Sequence, residues 1–216
     1  MVEVYLQRYR AWWLNIYRWR VSAGVLTNIG LAIGMACLTG LLAQIKIVLP
    51  FSPVPITGQT FAVLVAGVML GRYYGGFSQF IYVILGTAGV PWFNGGSGGP
   101  ASLIGPTGGY LIGFIVAAFI VGYITDKYVK ARNFFPMLAV MLLANFGIIY
   151  VFGLLQLSIY LNVFKGMTAD LWDVLKMGAI PFIAGDIVKA ILAALMAKSV
   201  LPKEPYDADA SSDRRR

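Results

Sequence analysis

The 216-residue chain contains no histidine and a single cysteine, Cys37. Without histidine there is no imidazole general base, no imidazole proton shuttle and no histidine metal ligand. One cysteine permits no disulfide within the chain and no thiolate zinc cluster. Charge is scarce too: 12% of residues are Asp, Glu, Lys or Arg, where a soluble domain carries about 25%. That deficit excludes a water-soluble globule, and it excludes disorder, which needs high charge and few apolar groups. No G-x-x-x-x-G-K-[ST] phosphate loop is present. No metal and no cofactor are expected. A membrane enzyme would need a nucleophile with its base, or a metal cluster, and the composition supplies neither.

What is present is apolar. Hydrophobic residues make up 59% of the chain, and mean hydropathy is +0.76. A spanning helix needs roughly 20 apolar residues. The runs predict an all-α integral membrane protein of six transmembrane helices over residues 21–201. The first span covers 21–49, and Pro50, Pro53 and Pro55 end it in an extended loop. Two short runs follow, 60–70 and 77–85, separated by a tight turn at Gly71–Gly76. Residues 86–109 are dense in glycine and proline and carry no charge. A loop of that length is ordinarily functional or disordered, and here an ordered outer loop is expected. The remaining spans are 110–125, 134–161 and 177–201, with a connector at 162–176 that holds a short amphipathic helix. Residues 1–20 read as an interfacial amphipathic arm of Trp, Tyr and Arg. Residues 202–216 read as a disordered tail. No cleavable signal peptide is expected.

Net charge is +8, yet the cations sit at the ends of apolar runs rather than on one soluble face. This argues against nucleic acid and for membrane topology. With both termini cytoplasmic, 13 of the 17 Lys and Arg residues fall on the inner side. Only Lys46, Lys165 and Lys176 fall outside, and Lys189 lies within a span. The predicted location is therefore the cell membrane, in multi-pass form, with inner arginines against anionic lipid. The Pro loop, the Gly loop and the connector then converge on the outer face.

Asp186 and Lys189 are the foremost candidates. Three apart in the last span, they share a helix face. A charge at that depth costs at least ~2.5–3.5 kcal/mol on insertion scales, so it must face a partner, water or a ligand. The pair is either an ion pair locking the bundle, a polar ligand site in which Lys189 meets an anion and Asp186 accepts from N–H donors, or part of a proton relay. Asn94, Ser97, Trp92 and Thr107 in the Gly loop and Gln59 at the end of the Pro loop are further candidates. On the first span, Ala32 and Ala36, with Gly30, Gly34 and Gly40, form small-residue faces. These suit close helix packing or docking of a partner subunit. The stripe Ala190, Ala193, Ala194 and Ala197 reads as internal packing.

Three stretches, PVPITGQTFAVLVAG (53–67), GGSGGPASLIGPTGGYLIGF (95–114) and PFIAGDIVKA (181–190), recur in an order that resembles the BioY family. These are biotin-specific substrate-binding subunits, or S components, of energy-coupling factor (ECF) transporters. The likeness spans about 22–201. It implies that Lys189 takes the valerate carboxylate of biotin, that Asp186 takes a ureido N–H, and that loop 86–109 covers the pocket. Ser97 stands where some members place an Asn, with Asn94 three residues earlier. The family's Ala-x-x-x-Ala, which docks on the transmembrane T component, matches Ala32 and Ala36. The expected partners are biotin, a T component and two ABC-type ATPases. Three rival readings remain at this stage: a passive channel or facilitator for a small anionic solute, a membrane enzyme, and a purely structural membrane subunit.

Overall fold

The computed structural model describes residues 2–203. Residues 204–216, most of the expected tail, lie outside the described residues. Five described helical stretches are long and apolar enough to cross a membrane: Val25–Ala43, Gln59–Thr87, Gly108–Lys127, Phe134–Phe164 and Leu171–Val200. Large apolar side chains point outward, among them Leu26, Leu143 and Phe135. Alanines line the interior, and Ala190, Ala193, Ala194 and Ala197 are all buried. Lipid tails are as apolar as leucine, so helices in a bilayer gain from close packing of small residues rather than from burying large ones.

The N-terminal arm is helix α1, Val2–Ser22. It is pinned to the bundle: the Tyr17 hydroxyl donates to Met69 Sδ at 3.3 Å, and Arg20 Nη1 donates to Met69 O at 2.9 Å. The expected first span 21–49 is shorter in the structure, with α2 at Val25–Ala43. The chain then enters a two-residue strand, β1 (Lys46–Ile47), paired antiparallel with β2 (Ile56–Thr57). The proline segment forms the tip of this hairpin. Ser52 Oγ anchors it by donating to Met177 O.

Helix α3 (Gln59–Thr87) is one helical element by hydrogen bonding, but it is not a rod. Gly71 breaks it with φ +73° and ψ −171°, a conformation essentially restricted to glycine. The arms 59–70 and 72–87 fold back on each other. Gln59 Nε2 donates to the Tyr82 hydroxyl at 2.8 Å, although 23 residues of straight helix would separate them by about 35 Å. The expected turn at Gly71–Gly76 is thus confined to Gly71. Gly75 and Gly76 are helical, and a side chain at Gly75 would strike the backbone of Gly67 in the facing arm.

Loop 86–109 is more structured than its composition suggests. It contains a 3-10 turn at Asn94–Gly96 and a short helix α4, Pro100–Ile104. Helix α5 (Gly108–Lys127) packs against α3 backbone to backbone: a Cβ at Gly67 would meet Ala118 O and Gly122 N. Helix α6 (Phe134–Ala144) continues through a π-helical segment, Asn145–Ile149, into α7 (Tyr150–Ile159). Such bulges recur at functional sites, and this one ends directly at Tyr150. The connector helix is α8, Leu171–Gly178, opened by a capping box between Asp170 and Asp173. The expected last span 177–201 is interrupted at Ile180–Phe182, where Pro181 sits, and resumes as α9, Ile183–Val200.

Candidate functional site

Pro181 has no N–H to contribute to a helix ladder, so α9 begins just after it, and Asp186 falls in its first turn. A carboxylate there also meets the positive end of the helix dipole. Lys189 lies one turn on and forms an ion pair with Asp186. Both line a cleft with about 580 Å³ of free space, part of it open to the outside. The walls come from β2, the start of α3, the Gly loop, the start of α5 and the start of α7.

Asp186 is buried, with 3% of its side chain exposed. Its Oδ1 accepts from Thr60 Oγ1 at 3.1 Å, and its Oδ2 accepts from the Tyr150 hydroxyl at 2.7 Å. A carboxylate offers about four lone-pair sites. Thr60, Tyr150 and Lys189 occupy three and leave one. The Lys189 ammonium has three N–H donors. One goes to Asp186 and one to Thr57 O at 2.9 Å. The third has no partner among the described residues, and 17% of the side chain is exposed. The pair is therefore charge-balanced, yet each member keeps capacity for one more bond, at the wall of an open cleft.

A second chain of hydrogen bonds holds the rim. Thr57 Oγ1 donates to Gln59 Oε1 at 2.8 Å, Gln59 Nε2 donates to Tyr82, and the Tyr82 hydroxyl donates to Trp92 O at 3.2 Å. Gln44 Nε2 reaches Trp92 O and Phe93 O, each at 3.2 Å. The Gly loop is thereby tied to the end of α2 and to α3. The Tyr110 hydroxyl donates to Gly178 O at 2.7 Å and closes the side toward α8.

The structure brings Asp186, Lys189, Asn94, Gln59 and Thr107 to one cleft. Ser97 and Trp92 stand apart from it. Ser97 Oγ is turned back to donate to Asn94 O at 3.0 Å. Trp92 is a wedge: its Nε1 donates to Tyr82 O at 2.9 Å, and its ring lies on Gly40. It anchors the loop without lining the cleft. Asn94, with no hydrogen bond to its side chain among the described residues, is the loop's polar group at the cleft. Ala32 and Ala36 lie on the inward side of α2. Both are fully buried within the single chain, on the side of α2 that also carries Thr39, Gly40 and Ala43. Gln79 of α3 donates to Thr39 across that contact.

Thr60 and Tyr150, the two hydroxyls that hold Asp186, are not among the candidates named from the sequence. Tyr150 carried a signal, since a phenol in the middle of an apolar span needs a partner for its hydroxyl. Phe93, Phe114 and Phe182, which give the cleft apolar walls, carried none beyond their hydrophobicity.

The family model described as "BioY family" matches residues 16–205. A protein of Methanothermobacter thermautotrophicus named "Probable biotin transporter BioY" is 52% identical over 141 residues, 65% of this chain and 90% of that one. The "Biotin transporter BioY" of Rhizobium etli is 36% identical over 186 residues, 84% of this chain and 94% of that one. Among solved structures, a crystal structure of the S-component for biotin from an ECF-type ABC transporter superposes with a TM-score of 0.73 at 28% identity. That match covers 84% of this chain and 94% of the other.

Proposed function

The chain belongs to the BioY family, and from that premise we propose that it is the biotin-binding S component of an ECF-type vitamin uptake transporter. It is a multi-pass membrane protein and a transport subunit, not an enzyme. It captures biotin from the outer side of the cell membrane and delivers it inward with a transmembrane T component and two ABC-type ATPases. The arms of α3 each make one pass, so the chain crosses six times. Both termini lie in the cytoplasm, as the charge asymmetry requires, and α1 lies along the inner interface.

The observation that carries this reading is the spare N–H of Lys189 in the cleft. An ammonium held in a low-dielectric site with one donor unfilled suits an anion, and biotin offers one carboxylate. The remaining lone pair of Asp186 and the side-chain amide of Asn94 suit the ureido group, which both donates and accepts. The apolar walls suit the fused rings. Gln59, Tyr82 and Trp92 position the loop that covers the ligand.

Native mass spectrometry of protein purified without added vitamin tests the reading. The expected result is a protein peak carrying one biotin, displaced by excess labelled biotin. Preparations that neither carry nor take up biotin would refute it. Flux of biotin through liposomes that hold this chain alone, without its partners, would favour the facilitator instead.

A further inference from the structure

A second recess opens at the other end of the bundle between the end of α1, the fold-back of α3 and the end of α5. Helix α5 connects the two regions. Thr107 and Tyr110 line the biotin cleft and Lys127 lines the recess. Twenty helical residues rise about 30 Å, one hydrocarbon thickness. The recess therefore lies at the polar boundary opposite the cleft.

Its charge is unbalanced. Among the described residues that line it, Arg20, Arg72 and Lys127 accompany one carboxylate, Asp126. The fold already engages both oxygens of Asp126: Oδ1 accepts from Arg20 Nη2 at 3.2 Å, and Oδ2 accepts from the Arg72 backbone N–H at 3.0 Å. The Arg72 guanidinium lies over the Tyr73 ring at 4.2 Å, and Lys127 Nζ donates to the Tyr123 hydroxyl at 2.7 Å. Neither cation meets a carboxylate among the described residues. A guanidinium fork and an ammonium together match the several oxygens of a phosphate.

A separate observation points to where that phosphate comes from. An apolar groove runs between α1 and α2 and shares Arg20 and Leu70 with the recess. Gly30 and Gly34 line it, and a side chain at either would meet no atom within 4 Å. A polar, cationic recess leading into an apolar groove matches an amphiphile with a phosphate head and an acyl chain.

We propose that this recess binds the phosphate head group of an anionic glycerophospholipid, with one acyl chain along the α1–α2 groove. The lipid ties the N-terminal arm to the bundle through Arg20, at a place distinct from the vitamin cleft.

The test uses the full chain purified in mild detergent and titrated with phosphatidylglycerol or phosphatidylcholine under native mass spectrometry. The parent should retain one phosphatidylglycerol in preference to phosphatidylcholine. Arg72→Gln with Lys127→Gln should weaken retention about 10- to 30-fold, from the loss of two charges near the lipid phosphate. Lys165→Gln with Lys176→Gln removes the same charge elsewhere and should leave retention at the parental level. Gly34→Leu fills the groove and should also weaken retention. Biotin binding should persist in all of these and reports that each is folded. Should the double Gln variant fail to fold, Arg72→Lys with Lys127→Arg, which keeps the charges and most of the retention, and Gly34→Leu decide the matter. Equal retention by the parent and the double Gln variant would overturn the site. Displacement of the lipid by millimolar inorganic phosphate, together with no effect of Gly34→Leu, would overturn the lipid as its source.

Discussion

Asp186 and Asp126 each sit beside a cation, one near either end of the bundle, and their surroundings differ in kind. Asp126 joins three separate parts of the chain: it holds Arg20 of the arm and the Arg72 N–H at the fold-back, and a side chain at Gly71 would collide with it. Both its oxygens serve the fold. Asp186 pairs within its own helix, and Thr60 and Tyr150 reach it from two others. After those contacts the Asp186–Lys189 pair still has one acceptor and one donor left over, at an open cleft. Asp126, partly exposed, ties distant segments of the chain together, which is an architectural role. The Asp186–Lys189 pair is largely buried beside a cleft with one donor and one acceptor to spare, which suits the polar groups of a ligand.

Substitutions at the two ends should therefore separate stability from binding. The largest effect is expected for Asp186→Ala, which strands a buried ammonium. Breaking such a pair costs about 3–5 kcal/mol, and thermal unfolding in detergent should show a large fall together with loss of biotin binding. Retained stability and retained binding would mean that the carboxylate does neither job.

Next comes Lys189→Met, which keeps much of the stem and removes the charge. The carboxylate of Asp186 keeps its two hydroxyl donors, so the main change should be in affinity. Losing a charge-assisted bond costs roughly 1.5–3 kcal/mol, about 10- to 150-fold in Kd. Titration calorimetry with biotin measures it.

At the opposite end, Gly71→Ala should do the reverse. It forces a side chain into a glycine-only conformation at about 1–3 kcal/mol, and its Cβ meets the Asp126 carboxylate. The unfolding temperature should drop while the biotin Kd of the folded fraction stays within about twofold, a shift under ~0.5 kcal/mol. The smallest effect is expected for Asp126→Asn. A partly exposed pair contributes about 0–1 kcal/mol, and the amide oxygen can still accept the Arg72 N–H. A biotin affinity that fell tenfold in this variant would erase the distinction between the two carboxylates.

Much of this was legible from residue order. Asp186 and Lys189 stood out because charge within an apolar span is costly, and the structure places both at the cleft. The glycine at 71 and the prolines at 50–55 marked reversals that the fold contains. Other features were not legible, for identifiable reasons. The spacing of Ala32 and Ala36 says that a helix packs closely there, but not whether that helix belongs to the same chain. Within the chain, the fold-back of α3 brings Gln79 to Thr39 on that side of α2. Composition could not show that the Gly loop folds into short helical turns, because glycine permits many backbones and selects none. Which loop residue faces the cleft depends on those turns: Asn94 does and Ser97 does not. The hydroxyls of Thr60 and Tyr150 lie far from Asp186 in sequence, and spacing carries no record of so distant a partner.

The central claim is that Lys189 holds the carboxylate of biotin with the one N–H that the fold leaves free. Calorimetric titration of the parent protein and of Lys189→Met with biotin and with biotin methyl ester tests it directly. The parent should bind the ester about 10- to 150-fold more weakly than the acid, and the variant should bind the two alike. Equal affinity of the parent for acid and ester would contradict it.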